Sequence, residues 1–287
     1  MGAENIIQEN TESTVHENTD EVIHENTLFA EPIAHIGSFP VTNALATSTL
    51  ALIIIAILAI TIRRNLKKVP TGLQNAMEII IEGFLGIFDG VTGDRKKSLK
   101  FAPVVLAFFF FILINNWMGL LPGVGSIGQI AAHGDEKIFI PYLRGGTADL
   151  NTTLALATLG VVLSHIMGVL AIGWWKYLNK FINIKAFLEI PKKIMKDPMI
   201  ILVNPIKAFV GLIEIIGELA KVASLSFRLF GNVFAGEVLL ASMSAILAYG
   251  VPIPFMFLEV LVGLIQALIF AMLILTYLTI NTTAEEH

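Results

Sequence analysis

Of the chain's 287 residues, 55% are apolar and only 15% charged, against about 25% charged in an ordinary soluble domain, and the mean hydropathy is +0.76. Such a composition excludes a domain wetted on all sides. The absence of cysteine excludes a disulfide framework, thiolate metal sites and cysteine nucleophiles.

The net charge of −4 hides a strong segregation along the chain. Residues 1–42 hold eight Asp/Glu and no Lys or Arg, with Glu-Asn-Thr recurring at a period of eight (Glu9, Glu17 and Glu25). So few apolar residues cannot offset the entropy of ordering a chain, so 1–42 reads as a solvated, disordered extracytoplasmic tail. His16, His24 and His35 leave metal or partner binding as the alternative. A secretory signal is excluded, because the segment lacks a basic start and an apolar centre.

Residues 43–62 carry no charge and end at Arg63, Arg64, Lys67 and Lys68. About 20 helical residues cross a hydrocarbon core of roughly 30 Å, so this is the first span. Residues 70–93 break their apolar pattern with Gln74, Glu78, Glu82 and Asp89, as an amphipathic helix on the membrane surface does. The second span is 101–121, with four consecutive phenylalanines at 108–111 and Pro122-Gly123 after it. A polar loop leads to the third span, 150–175, which ends on Trp174 and Trp175 with Lys176 and Lys180 beyond, an interfacial pattern. Residues 205–248 contain no proline after Pro205, so one helix can run throughout. Pro252 and Pro254 read as a sharp turn, and 255–280 is the last span. The expected fold is thus an all-α membrane protein, with a membrane domain over 43–287. It has five transmembrane helices and one surface helix, the last two spans being long and tilted.

Basic residues set the orientation. Segments 63–100 and 176–196 hold eight and six Lys/Arg, the loop 122–149 only two, and the tail and the 250–254 turn none. Lys/Arg-rich loops stay cytoplasmic. The amino terminus is therefore expected outside and the carboxyl terminus inside, in a bacterial plasma membrane.

The segment 205–248 is the informative one. At 1.5 Å per residue it is about 65 Å long, twice the hydrocarbon thickness, yet it stays apolar, as a steeply tilted helix against another large membrane object would. At 100° per residue, Glu214, Lys221, Ser224, Arg228 and Asn232 lie within about 40° of Arg228, Glu218 about 80° away, and Glu237 on the opposite side. The last span adds Glu259 and Gln266, seven apart on one face. An intramembrane Arg costs between roughly 3 and 15 kcal/mol, and Gly231 and Gly236 allow close approach of another helix. Function is therefore a better explanation of Arg228 than a snorkelling or bundle-paired charge. Glu218 and Lys221 read as a mutual pair, and His165 as a helix–helix hydrogen-bond donor before an ion relay. A hairpin centred near Val251 would set Gln266 opposite Glu237 more nearly than Arg228.

The run Leu225-Ser226-Phe227-Arg228-Leu229-Phe230-Gly231-Asn232, followed by Ala235-Gly236-Glu237, resembles the signature of subunit a of the F-type ATP synthases. Glu259 and Gln266, then Ile280 and the acidic end, resemble that family's last span. Asn116 with Gly119-Leu120-Leu121-Pro122, and Ala148-Asp149-Leu150-Asn151, also match, so the likeness covers roughly 40–287 but not the acidic tail.

This resemblance implies a stator with two offset aqueous half-channels for protons, or sodium ions, working against a rotating ring of c subunits. It would be held by b-type peripheral stalk subunits within the rest of the synthase and the lipid bilayer, with no nucleic acid. Arg228 would separate the half-channels, with Asn232 as a polar neighbour. Glu237, Glu259 and Gln266 would line the outer one, Glu214 and Ser224 the inner one, and Asp149 and Asn151 would shape the outer entrance. Many relatives have histidine where Glu259 stands, an exchange that keeps an ionisable group. No phosphate-cradling loop, metal cluster or nucleophile arrangement occurs in the sequence, so no cofactor, metal or catalysis by this subunit is expected. A secondary transporter with Arg228 binding an anionic substrate is the competing reading, but matching halves and a Gly/Pro break near Arg228 are both missing. A pure scaffold would not keep such costly charges.

Overall fold

A computed structural model of the chain describes residues 22–23, 27–121, 123–133, 136–177, 200–247 and 250–283. The described elements are β1 (Val22–Ile23), β2 (Pro32–Ile36), β3 (Phe39–Thr42), α1 (Asn43–Arg64), α2 (Leu73–Thr92), α3 (Arg95–Gly119), β4 (Gly128–His133), β5 (Glu136–Pro141), α4 (Leu150–Ile172), α5 (Ile200–Ile246) and α6 (Pro252–Thr282). Five helices, α1, α3, α4, α5 and α6, are long and apolar enough to cross a membrane, and the chain is an all-α membrane protein with two small appended sheets. The amphipathic α2 is the sixth of these described α-helices.

Local chemistry explains the boundaries. Thr42 caps α1 by accepting from the Leu45 N–H, and Arg63 and Arg64 sit in its last turn, where cations favour the helix dipole. The second span begins six residues earlier than hydropathy suggests, because the Asp94 carboxylate accepts from the Lys96 N–H and starts α3 at Arg95. Asp149 caps α4 through the N–H groups of Asn151 and Thr152. That helix stops at Ile172 rather than 175, since Gly173 turns away at φ 95°. At its start, α5 reaches back to Ile200, taking in Pro205.

Three expectations fail. The pair Pro252 and Pro254 is not a turn but the first turn of α6, where proline's missing N–H has no intrahelical partner to lose. The polar loop before α4 is partly a hairpin, β4 against β5, with β1 pairing parallel to β5. The disordered tail does not extend to residue 42, because β2 and β3 form an antiparallel hairpin and residues 27–31 are bonded to the bundle. The recurring Glu-Asn-Thr sites before Thr27, the basic segment 180–196 and the acidic end lie outside the described residues.

A core of Phe84 and Phe88 from α2, Phe101, Phe108, Phe109 and Ile112 from α3, Leu225 and Leu229 from α5, and Phe270, Ile274, Leu275 and Leu278 from α6 binds the bundle. Phe84 meets Phe109 at 4.6 Å between ring centroids and Phe108 meets Phe270 at 5.7 Å. Burial of α2's aromatic face against this core explains why the element is amphipathic.

Lipid gives no hydrophobic drive between helices, so small residues and hydrogen bonds join them. The buried stripe Ala44, Thr47, Ser48, Ala51 of α1 follows that rule, with Ser48 Oγ donating to Asn115 Oδ1 of α3 at 3.1 Å. Asn116 Nδ2 and Trp117 Nε1 of α3 donate to the carbonyls of Gly263 and Val260 on α6, at 3.0 and 3.1 Å. Asn281 of α6 donates to Ser164 of α4 at 2.9 Å, and Thr153 of α4 meets Ser226 of α5 at 3.2 Å.

Candidate functional site

The long helix α5 carries two opposed faces. Leu225, Ser226, Leu229 and Phe230 are buried in the bundle, whereas Ser224, Phe227, Arg228 and Ala235 are exposed. Arg228 Nη2 donates to Ser224 Oγ, one turn away, at a long 3.4 Å. Around Arg228 the exposed face is lined by small residues: Gly217, Ala220, Ser224, Gly231 and Ala235 recur at helical spacing, and a Cβ added at Gly217 or Gly231 would meet nothing within 4 Å. A guanidinium on an open, shallow groove between apolar side chains such as Phe227, 61% exposed, is too costly to face lipid. It fits a surface that another membrane helix covers.

Glu237 points the other way, as the helical angle implies. Its side chain is 24% exposed and pairs with Arg144, itself 9% exposed, from the segment between β5 and α4. Both Arg144 Nε and Nη2 donate to the same oxygen, Glu237 Oε2, at 3.0 and 2.9 Å. Oε1 lies against Gly145, 3.3 Å from where a Cβ would stand. Gly145 and Gly146 are needed here. A Cβ at Gly119 would come within 3.1 Å of the Gly145 Cα, and one at Gly146 would fall 2.3 Å from Asn115 Oδ1 and 2.4 Å from Ser48 Oγ. Arg144 was read in the sequence only as one of two loop cations. The available signal was a cation in the segment that the charge bias places outside, next to a Gly-Gly pair.

Glu259 approaches from α6. Its carboxylate lies over Gly236, 2.3–2.4 Å from the position a Cβ would take, so it meets α5 at the residue next to Glu237. This contact also corrects the hairpin register. Gln266 is seven residues beyond Glu259, and Leu229 is seven before Gly236. With equal rise in an antiparallel pair, Gln266 stands level with Leu229, next to Arg228, not with Glu237. The shift arises because Pro252 is already helical, which moves the hairpin centre back from Val251. Gln266 and Asn232 are both half-buried.

Asp149 is committed to structure. Its Oδ1 accepts from the N–H groups of Ala30 and Asn151, at 3.1 and 3.3 Å, and its Oδ2 from the N–H and hydroxyl of Thr152, at 3.1 and 2.9 Å. Asn151 beside it is exposed.

At the opposite end of the bundle, Lys221 Nζ donates to Glu218 Oε1 at 2.7 Å, the pairing that their spacing suggests. His165 of α4 joins them, with Nε2 at 3.3 Å from Glu218 Oε2 and Nδ1 at 2.5 Å from the Tyr177 hydroxyl. His165 is therefore a helix–helix link, as expected. Burial, followed by the negative charges of Glu218 and Glu214, pushes the Tyr177 hydroxyl up to about 12, so it stays protonated as a donor. Glu214 is half-buried on the same helix, two turns before Lys221. Beside His165, Trp174 and Tyr177 opens an apolar cavity of about 470 Å³. Arg228 thus lies between two polar clusters, separated from Glu237 by nine residues, about 14 Å of helix rise.

The model of the ATP synthase A chain family matches residues 45–279. The chain is similar to ATP synthase subunit a of Geobacter sulfurreducens, 32% identical over 85% of this chain and 89% of that one. It is also similar to subunit a of a Geobacter species, 33% identical over 82% and 86%, and of Moorella thermoacetica, 29% identical over 86% and 93%. The chain therefore belongs to the ATP synthase subunit a family and is a multi-pass membrane component of that rotary complex, with a role in its ion transport.

Proposed function

We propose that this subunit carries protons, or sodium ions, through two half-channels that end at Arg228 and never join, against the ring of c subunits. The observation that carries the proposal is the exposed Arg228 on a groove of small residues, with ionisable clusters set apart on either side of it. In this reading Glu237 and Glu259 line the outer half-channel, with Gln266 reaching from it to the level of Arg228 and Asn232. Glu214 and Ser224 line the inner one, while Glu218, Lys221 and His165 brace its wall. Asp149 shapes the outer entrance by holding chain segments in place, and Asn151 faces that entrance.

The physics is electrostatic. Each ring subunit brings one carboxylate to mid-membrane. Arg228 favours its ionised form, by about 4 kcal/mol for charges 4 Å apart at an effective dielectric near 20. The subunit gives up its ion to one channel, passes Arg228 as an anion, and is reloaded from the other. A cation attempting the direct route meets like charge. Each charge descending 100 mV releases about 2.3 kcal/mol, which biases rotation. ATP chemistry then belongs to other subunits, and this one is non-catalytic. The tail stands outside, the carboxyl terminus is cytoplasmic, and b-type stalk subunits hold the stator.

The test is purification from the native membrane followed by reconstitution. The chain should emerge with a ring and a soluble head, and vesicles of that complex should make ATP when a proton or sodium gradient is imposed. A chain that purifies alone and takes up an anionic solute would support the transporter reading instead.

A further inference from the structure

Arg144 has two masters. On one side its Nε and Nη2 reach Glu237 Oε2. On the other, Nη2 donates to the Thr27 carbonyl at 2.9 Å, and Nη1 to Thr27 Oγ1 at 3.3 Å and to the Phe29 carbonyl at 3.5 Å. Residues 27–31 thus form a strap across the end of the bundle directly over the Arg144–Glu237 pair.

The strap is pinned along its length. The Leu150 N–H donates to the Leu28 carbonyl at 3.5 Å, and the Asn43 N–H to the Glu31 carbonyl at 3.0 Å. The Ala30 N–H donates to Asp149 Oδ1 at 3.1 Å. Arg144 is fixed from its own backbone as well, its N–H donating to Thr47 Oγ1 at 3.2 Å. Leu28 and Phe29 are about half exposed, so these bonds rather than burial of apolar side chains hold the segment.

A guanidinium facing a carboxylate ordinarily forms a fork, one N–H to each oxygen. Here Nε and Nη2 converge on Oε2, while Nη2 also donates to the Thr27 carbonyl and Nη1 bonds only to the strap. Oε1 is left beside Gly145, where no side chain intervenes. We propose that the strap 27–31 is a wall of the outer half-channel, and that its carbonyls make Arg144 a positioning residue that holds Glu237 by one oxygen while leaving the other for the translocated ion. The inference rests on the half-channel reading of Glu237.

Strap and guanidinium then act in opposite directions. Without the strap, Arg144 closes its fork over both oxygens and competes with the ion. Without Arg144, that competition disappears and the strap has nothing to act on. A purely structural strap would lower the amount or maximal rate of the complex and leave the half-saturating ion concentration where it was.

The experiment uses the whole complex in vesicles and measures ATP synthesis while the driving ion, proton or sodium, is titrated on the outer side. Deleting residues 2–20 should leave the half-saturating concentration within about twofold. Deleting 2–30 should raise it about tenfold, Arg144→Ala should lower it, and the combined variant should match Arg144→Ala. Ala30→Pro, which removes the N–H bonded to Asp149 at full chain length, should shift it in the same direction as the longer deletion, and it decides the matter should that deletion fail to assemble. No shift in either strap variant, or a combined variant more than about threefold away from Arg144→Ala, would overturn the proposal. Glu237→Gln serves as the separate control: normal synthesis in that variant would remove the half-channel reading itself, whatever the strap variants do.

Discussion

Arg228→Ala should abolish ion-driven ATP synthesis while the complex still assembles. The side chain is exposed, and its one hydrogen bond, to Ser224, is long, so the bundle loses no buried partner when it is removed. What disappears is the positive charge that faces each passing ring carboxylate. If that charge supplies about 4 kcal/mol, the forward step slows by about three orders of magnitude, and the barrier to a direct leak falls too. Arg228→Lys keeps the charge as a point on a flexible stem without the planar fork, and should recover only a fraction of the rate. Copurification of this chain with ring and head measures assembly, and ATP formation in energised vesicles measures function. Synthesis retained in an assembled Arg228→Ala complex would refute the role given to this residue.

Glu237→Gln should slow ion translocation by about tenfold or more, also with assembly retained. Removing the charged partner of a buried ion pair usually destabilises by about 3–5 kcal/mol. The glutamine carbonyl, however, stands where Oε2 accepts from Arg144, and the guanidinium keeps its strap carbonyls. The fold should therefore survive while the titratable oxygen is gone. Glu237→Ala removes the acceptor too, so it should lower thermal stability as well as rate. Comparing the two variants separates the ionisable role of the side chain from its part in holding Arg144.

How far the sequence carried these conclusions depended on whether the deciding interaction was local. The five membrane-competent helices and the opposed directions of Arg228 and Glu237 follow from hydropathy and a 100° step, and each is found as expected; the amphipathic pattern of 70–93 is found as a helix over Leu73–Thr92. The Glu218–Lys221 pair, three residues apart, was legible for the same reason. Arg144 was not, because its partner lies 93 residues away and no periodicity links a loop cation to a helix carboxylate. The strap was hidden by its place at the end of an acidic, mostly polar tail: Leu28 and Phe29 stay about half exposed, and what holds residues 27–31 is backbone bonding to Arg144, Asp149 and Leu150. Asp149 was read as part of an entrance, although an aspartate just before an apolar helix is also an N-cap signature, which is how the structure uses it. The level of Gln266 is not legible, because Pro252 and Pro254 are as compatible with a helix start as with a turn.

The absence of cysteine makes one measurement decisive, since any thiol introduced is the only one in the subunit. Single substitutions Glu259→Cys and Ser224→Cys, assembled into the complex in sealed vesicles, can be exposed to a membrane-impermeant thiol reagent from one side at a time. Position 259 should react from the outer side only and position 224 from the cytoplasmic side only, with Arg228 between them. Reaction of either position from both sides at similar rates would show one continuous aqueous path, which contradicts the separation of the half-channels at Arg228.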